Sequence, residues 1–263
     1  MTTKPKTHVG IVLDRSGSMG HIKRQAIDHF NEQVELAQNN SAEQDITFTL
    51  VTFNENVFEH HVAEPVTQVA KADADSYQPN GGTALWDAVG YTIKKMQEAT
   101  EGDKEASYLL IIISDGEENQ STHYTSAHVR EMIDGCQATG RWTVSYVGCD
   151  EKYLYRIAQA TNIPISNMGV WSNENAEVAT KSLRRSTMRY DNYYQSRNAG
   201  EASTDMLMSD AIGACANFVD DSPSQTAPPT PVKAIKRQMS GATRSSDVTS
   251  RTFNVGTEVK WTS

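Results

Sequence analysis

Three small oxygen-bearing side chains lie at alternate positions directly after an apolar run near the start of the sequence. Residues 9–13 are apolar, and Asp14, Ser16 and Ser18 follow them before a segment with helical periodicity. An acid at the end of a strand, followed by two hydroxyls, places several hard oxygen atoms around one point. Mg²⁺ takes such ligands at short distance and keeps positions for water or for an oxygen of another molecule. The segment therefore indicates a site for a hard divalent cation.

Two later loops carry groups of the same chemistry. Thr83 follows two glycines and precedes an amphipathic stretch, and Asp115 follows the almost wholly apolar run 108–114. In an open, doubly wound sheet, ligands gather beyond the carboxyl ends of the strands, so Asp14 and Asp115 converge if their strands are neighbours. The complete set has two carboxylates and three hydroxyls, without imidazole or thiolate. This composition favours Mg²⁺, with Mn²⁺ and Ca²⁺ as alternatives.

Apolar runs and amphipathic segments alternate along the first 200 residues, with short loops between them. Strands are expected at residues 9–13, 45–53, 57–62, 108–114, 142–147 and 165–169. Helices are expected at residues 20–38, 83–99, 126–139, 153–160 and 174–194, with a weaker apolar segment at 206–219. This alternation predicts an α/β fold with a doubly wound, mostly parallel Rossmann-like sheet and helices on both faces. The hairpin partner at 57–62 is expected to be its one antiparallel edge strand.

The composition changes at residue 221. Residues 222–263 contain four prolines and many serines and threonines, and their six basic and two acidic residues give a net charge of +4. The total of −9 leaves −13 for residues 1–221. We therefore expect a domain at 1–221 and a basic Pro/Ser/Thr-rich tail at 222–263. The last stretch, 252–261, alternates well enough to form a short docking strand or hairpin on a sheet edge.

Cysteine usage, hydropathy and charge indicate a cytoplasmic protein. The three cysteines lie far apart without metal-ligand spacing, which fits reduced thiols better than disulfides. Residues 1–7 are polar, and the apolar run 9–13 is too short for the core of a signal peptide. No segment approaches the ~20 apolar residues that span a membrane. The net charge of −9 gives no general support for a nucleic-acid partner. The oligomeric state stays open.

Three of these segments together resemble one known family. The DxSxS motif at 14–18, the GGTAL segment at 81–85 and the SDG segment at 114–116 resemble the metal-ion-dependent adhesion site of von Willebrand factor A domains. Their order and approximate spacing match that family across residues 8–170. The later YVGCD and IPISN segments are similar to those of small intracellular bacterial and phage members.

The resemblance implies a role for each of the five candidate residues. Ser16, Ser18 and Thr83 are expected to hold the metal directly, whereas Asp14 and Asp115 act mainly through water. It also implies a non-enzymatic interaction module, in which an Asp or Glu carboxylate from another protein completes the metal's coordination. In the same family a C-terminal helix shifts when the ligand arrives.

Two other functions remain open from the residues themselves. One is a phosphotransferase or phosphatase with Asp14 as the nucleophile, although such enzymes generally carry a second acid two residues later, where this chain has Ser16. The other is a virion or assembly scaffold whose C-terminal tail does the binding. A serine hydrolase or a nucleotide-binding loop is disfavoured, because GxSxG, P-loop and GxGxxG motifs are absent.

Several of these residues also have ordinary structural interpretations. Ser16, Ser18 and Thr83 can each cap a helix, and Asp14 can end a strand in a turn. Glu117 and Glu118 are expected to be solvated loop acids, and the tyrosines of the late helix are expected to pack against the domain. The histidines expected at the surface are His21, His29, His60, His61, His123 and His128.

Overall fold

The computed structural model describes residues 4–148, 151–171, 176–200 and 256–261, and it has an α/β fold. Seven strands in these ranges form one mixed sheet: β1 (Lys6–Asp14), β2 (Asp45–Phe53), β3 (Val57–Pro65), β4 (Ser107–Ile113), β5 (Trp142–Gly148), β6 (Met168–Val170) and β7 (Thr257–Glu258). Five α-helices accompany them: α1 (Lys23–Asn40), α2 (Leu85–Ala99), α3 (Ser126–Ala138), α4 (Glu151–Thr161) and α5 (Ala176–Asn198). The predicted fold class is confirmed. Among the described residues, no helix combines the length and apolar character needed to cross a membrane.

The strand order β6-β5-β4-β1-β2-β3-β7 puts β1 beside both β2 and β4. The chain builds outward from β1 through β2 and β3, then returns to the other side of β1 to add β4, β5 and β6. The strands from β6 to β2 are parallel, and β3 runs antiparallel to β2. The order therefore reverses between β1 and β4, where Leu13 lies opposite Ile113. In folds of this type the crevice at such a reversal is the usual ligand site.

Helices cover both faces of the sheet because its strands are apolar on both sides. Ile11 and Leu13 of β1 pack with α1 and α5, whereas Val12 packs with the layer of α2, α3 and α4. Every residue of β4 is buried, as the apolar run 108–114 predicts. Every residue of the neighbouring strand β5 is buried as well. A strand buried on both faces loses its alternation of polar and apolar residues, and this identifies the sheet centre in the sequence.

Two element boundaries differ from the sequence prediction for local reasons. The helix expected from residue 20 begins at Lys23, since Gly17–Ile22 forms a 3₁₀ helix first. The strand expected at 165–169 is shortened to Met168–Val170, because Ile165–Asn167 forms a 3₁₀ turn. The carbonyl of Pro164 closes this turn by accepting from the amide of Asn167 at 2.8 Å. The apolar segment 206–219 and the expected domain boundary at 221 lie outside the described residues.

The C-terminal strand β7 lies on the outer edge of β3. Phe58 pairs with Glu258 and Glu59 pairs with Thr257 in antiparallel register. Of the stretch 252–261, where a docking strand or hairpin was expected, residues 256–261 are described. The expected antiparallel strand β3 therefore has an antiparallel partner on each side, and β7 is the outermost strand at this edge.

His29 is fully buried, so the expectation that it lies at the surface is wrong. It lies on the α1 face that carries Ala26 and Phe30, and the ring centroids of Trp171 and Tyr190 are 5.5 and 6.0 Å from its own. Burial lowers the pKa of His29 to about 3 because the charged imidazolium loses its hydration. Position 29 belongs to the apolar helical stripe, and that spacing was the available signal for its burial.

The late helix α5 packs its tyrosines against the domain as expected. Tyr190, Tyr193 and Tyr194 are buried in the same core cluster as α1 and the first face of the sheet. The side-chain amide of Gln44 donates to the backbone carbonyl of Tyr194 at 2.9 Å, which fixes the end of α5 beside the start of β2.

We expect His29 to make the fold sensitive to acid. The unfolded chain binds a proton at this imidazole near pH 6.5, whereas the folded state holds it neutral until about pH 3. Its contribution to stability is therefore complete above pH 6.5 and is lost as the pH falls below that value. Between pH 7 and pH 5, the free energy of unfolding of the wild type should fall by about 2 kcal/mol more than that of His29→Phe. Urea denaturation at both pH values measures this, and equal pH dependence of the two proteins would contradict it.

Candidate metal centre

Asp14 ends β1 with its carboxylate fully buried at the reversal of strand order. Its Oδ1 accepts a hydrogen bond from the backbone amide of Ser16 at 2.6 Å, and its Oδ2 accepts from Ser114 Oγ at 2.5 Å. The Tyr77 hydroxyl donates to the backbone carbonyl of Asp14. Burial raises the pKa of Asp14 to about 6, against the opposing effect of the Ser114 and Ser16 hydrogen bonds. The two serines thus occupy one acceptor position on each oxygen and fix the direction of the carboxylate.

Asp115 joins the two serine hydroxyls of the first loop from the end of β4. Ser16 Oγ and Ser18 Oγ are 3.1 Å apart, and Ser18 Oγ donates to Asp115 Oδ1 at 2.9 Å. The Asp115 side chain is only 1% exposed, and burial raises its pKa. The exposed His21 lies at the outer side of the rim, with Nδ1 3.6 Å from Asp115 Oδ2.

Gly116 shows that three of the loops surround a single point. A methyl group built on its Cα would lie 3.1 Å from Ser18 Oγ, 3.5 Å from Thr83 Oγ1 and 3.6 Å from Asp14 Oδ2. Through Ser18, the hydroxyl of Ser16 belongs to the same group. The structure therefore brings the five residues singled out in the sequence to one rim. Their role as metal ligands stays a prediction.

The chemistry of this donor set fits a hard divalent cation. All its side-chain donors are oxygens, and the space beside Gly116 is bounded by oxygens from three loops. Among the described residues, no group of three or more His, Cys, Asp or Glu side chains is placed to hold a metal ion. A metal at this rim therefore depends on the hydroxyl groups as well as on the two carboxylates.

Thr83 is held in place by the loop that follows β4. Its amide donates to Asn119 Oδ1 at 3.0 Å, and its carbonyl accepts from the amides of Asn119 and Gln120 at 3.0 and 3.2 Å. The amide of Gly17 donates to the carbonyl of Gly81 at 3.0 Å, which joins the first loop to the second. The Thr83 hydroxyl is thus positioned by backbone contacts on both sides.

Glu118 organises this loop and is not the solvated acid that was expected. Its Oε2 accepts from the amide of Trp86 at 3.0 Å and from Ser121 Oγ at 2.6 Å. Its Oε1 accepts from the amides of Gln120 and Ser121 at 2.8 and 2.6 Å. Glu117 is exposed as expected, and it pairs with Arg156 at 2.8 Å.

Asp87, in the first turn of α2, holds the far end of the same loop. This buried carboxylate accepts from the amides of Thr122, His123 and Tyr124 at 2.9, 2.9 and 2.7 Å. Sequence reasoning gives this residue no role in the site, although an acid is favoured in the first turn of a helix, where backbone amides are exposed. It also missed Ser114 as the partner of Asp14, since that role depends on the pairing of β1 with β4.

The open sheet with its reversal of strand order, and the rim of acids and hydroxyls beside it, agree with a family of adhesion and protein-binding domains. The von Willebrand factor type A domain matches residues 8–204, and the chain belongs to this family. No curated protein sequence matches the chain.

Solved structures share the fold at low sequence identity. The pilus adhesin SpaC from Lactobacillus rhamnosus GG, in its open conformation, is 15% identical with a TM-score of 0.52, and the match covers 74% of this chain and 31% of SpaC. The PilB minor pilin from Streptococcus sanguinis is 12% identical with a TM-score of 0.49, and the match covers 74% of this chain and 63% of PilB. The manganese-loaded TRAP protein of Plasmodium vivax is 16% identical with a TM-score of 0.45, and the match covers 68% of this chain and 74% of the TRAP chain. The chain spans less than two thirds of the two pilus proteins, and the likeness shows the fold alone.

We expect Asp87 to be the main stabiliser of the loop behind Thr83. Asp87→Ala leaves three partly buried amides without their acceptor and should lower the free energy of unfolding by about 3 kcal/mol. Asp87→Asn keeps one acceptor oxygen and should cost about half as much. Urea denaturation measures both, with the exposed Asp28→Ala on α1 as a control that should stay within about 0.5 kcal/mol. A cost for Asp87→Ala no larger than that of the control would contradict this assignment.

Proposed function

We propose that this chain is a non-enzymatic interaction module that binds Mg²⁺ at the rim and presents it to an acidic side chain of a partner protein. Von Willebrand factor A domains generally bind protein partners. The observation that carries the proposal is the convergence of Ser18 Oγ, Thr83 Oγ1 and Asp14 Oδ2 within 3.6 Å of one point beside Gly116. Mn²⁺ and Ca²⁺ suit the same oxygen ligands and are the alternatives to Mg²⁺.

The charge of the donor set explains why a partner's acid would bind there. Ser16, Ser18 and Thr83 are neutral, so as direct ligands they would leave most of the ion's positive charge uncompensated. Asp14 and Asp115 are buried behind the hydroxyls and would act mainly through water. When bound, Mg²⁺ supplies a positive centre with an open coordination position for an external carboxylate. The chain's own residues thus fix the ion and leave its outer side to the partner.

The burial of Asp14 supports binding over chemistry. A carboxylate nucleophile in a phosphotransferase needs an oxygen that can reach the phosphorus atom. Asp14 is fully buried, and its two oxygens accept hydrogen bonds from the amide of Ser16 and from Ser114 Oγ. These contacts favour a structural role for Asp14 at the rim over the role of an attacking group.

We also propose a cytoplasmic location. Cys136, the one cysteine among the described residues, is a buried free thiol, and burial raises its pKa to about 12. A thiol of this kind packs as an apolar side chain and stays unreactive. A free and buried thiol at Cys136 fits a compartment where thiols remain reduced.

The space beside Gly116 offers a sharp test of the metal site. Gly116→Ala places a methyl group among the rim oxygens, 3.1 Å from Ser18 Oγ, and Gly116 has a backbone conformation that alanine adopts. We expect Mg²⁺ affinity, measured by isothermal titration calorimetry, to fall at least tenfold while the fold survives. Gly20→Ala is the matched control, because a methyl group there meets no atom within 4 Å. Equal Mg²⁺ affinity in both variants and the wild type would refute the site.

The function itself is tested by metal-dependent capture of a partner. We expect the wild type to retain a binding protein in Mg²⁺ and to release it in EDTA, and Thr83→Ala to lose this retention while keeping the wild-type circular dichroism spectrum. Gly20→Ala should retain the partner as the wild type does. Capture that ignores EDTA, or turnover of phosphate esters that Asp14→Asn abolishes, would overturn the proposal.

A further inference from the structure

The segment 256–261 lies along the edge of β3, beside helix α2 and the loop 119–124. Besides the two residue pairs of β7, the amide of Val259 donates to the carbonyl of Val57 at 2.8 Å. Gly256 has a φ of +76°, and a methyl group on it would lie 2.7 Å from His60 Nε2. A glycine is therefore required where the segment meets the sheet edge.

Three aromatic side chains hold the end of this segment. The ring of Trp261 stacks on His123 with centroids 4.0 Å apart and an interplanar angle of 13°. Tyr91 and Tyr124 face it edge-on at 5.8 and 6.0 Å. Glu59 fixes Tyr91 by accepting from its hydroxyl at 2.6 Å. We call Tyr91, His123 and Tyr124 the tryptophan clamp.

The space around the clamp extends beyond the atoms that contact the segment. An open space of about 570 Å³ lies beside the segment, and it is lined by residues 257–261, the clamp, and Lys94, Lys95 and Glu98 of α2. Thr257, Glu258 and Lys260 are exposed, whereas Val259 and Trp261 pack against the domain beside the backbone pairs. Peptides dock on sheet edges in this way, with main-chain hydrogen bonds along the strand and pockets for single side chains.

The clamp is continuous with the loop that positions Thr83. His123 and Tyr124 end the segment 119–124, whose backbone is bound by Asp87. The other end of that segment binds the Thr83 carbonyl through the amides of Asn119 and Gln120. One short stretch of chain therefore contacts Trp261 at one end and the metal rim at the other.

We propose that the edge of β3 with the tryptophan clamp is a docking site for the chain's own residues 256–261, which bind reversibly and hold the loop 119–124 in the conformation that positions Thr83. The consequence for the metal rests on the proposed function. The occupant is this chain's own segment, because it is seated there and 55 residues (201–255) link it to the end of α5. A link of that length spans up to ~180 Å when extended, so it permits both docking and release.

Hydrogen exchange on the full chain tests the docking directly. Trp261→Ala should increase the exchange rate of the Val259, His123 and Tyr124 amides at least tenfold, and that of the Asn119 and Gln120 amides at least threefold. Lys260→Ala is the matched control, because its side chain is exposed in the same segment. Unchanged exchange at Asn119 and Gln120 in the Trp261 variant would overturn the link to Thr83.

A backbone substitution and a free peptide separate docking from general damage to the fold. Gly256→Ala should release the segment from the opposite end and give the same exchange pattern. A synthetic peptide of residues 253–263 should restore protection to the Trp261→Ala chain, whereas the same peptide with alanine at position 261 should not. Failure of the tryptophan peptide to restore protection would contradict a docking site. Wild-type protection that rises with protein concentration would mean that a second copy supplies the segment, which also overturns the proposal.

Mg²⁺ titration then tests the consequence at the rim. Trp261→Ala should bind Mg²⁺ at least threefold more weakly than Lys260→Ala. Equal affinities together with faster exchange at Asn119 would show that docking does not regulate the metal site. If the wild type binds no Mg²⁺, the proposed function fails, while the exchange and peptide results still decide whether the segment docks.

Discussion

The structure depends on one fully buried carboxylate at the end of its central strand. Placing Asp14 out of water is costly unless its oxygens accept hydrogen bonds, and the Ser16 amide and Ser114 Oγ provide them. Ser114 reaches Asp14 because β1 and β4 pair in parallel, with Leu13 opposite Ile113. The same hydrogen bond therefore satisfies the buried acid and joins the two loops at the reversal of strand order. Ser16, Ser18 and Asp115 follow the two strand ends that this bond joins, whereas Thr83 is positioned by the loop after β4.

Two further carboxylates, behind the Thr83 loop, also accept hydrogen bonds from backbone amides. Glu118 and Asp87 accept backbone amides of the segment 119–124, so a loop without regular structure is fixed by carboxylates at both ends. Loops that carry function need such support from the rigid elements beneath them. Because these acids are engaged within the protein, the outward-facing groups of the rim are mainly neutral hydroxyls. The proposed metal binding rests on the oxygen-lined space that these hydroxyls leave beside Gly116.

The sequence predicted those features that depend on local pattern. The apolar run 108–114 marked the sheet centre, and the spacing of Asp14, Ser16 and Ser18 marked the rim, because strand burial and loop position leave local signals. The partners of Asp14 and Asp87 could not be read in advance, since each depends on contacts between segments 30 to 100 residues apart. The burial of His29 has a signal in the apolar stripe of α1, and this position in the helix outweighs the polarity of its ring.

The docked C-terminal segment covers the part of β3 nearest the rim. Edge strands are open to pairing with other chains, and β7 protects Phe58 and Glu59 directly after the turn that joins β2 to β3. The carbonyl of Asn54 in that turn accepts from the amide of Ala84 at 2.7 Å, and Asn54 Nδ2 donates to Asn80 Oδ1 at 2.7 Å. Because Ala84 directly follows Thr83, the turn after β2 and the loop 119–124 both contact the chain around this threonine. Two sets of contacts from different parts of the fold restrict the backbone at this position more than either set would alone.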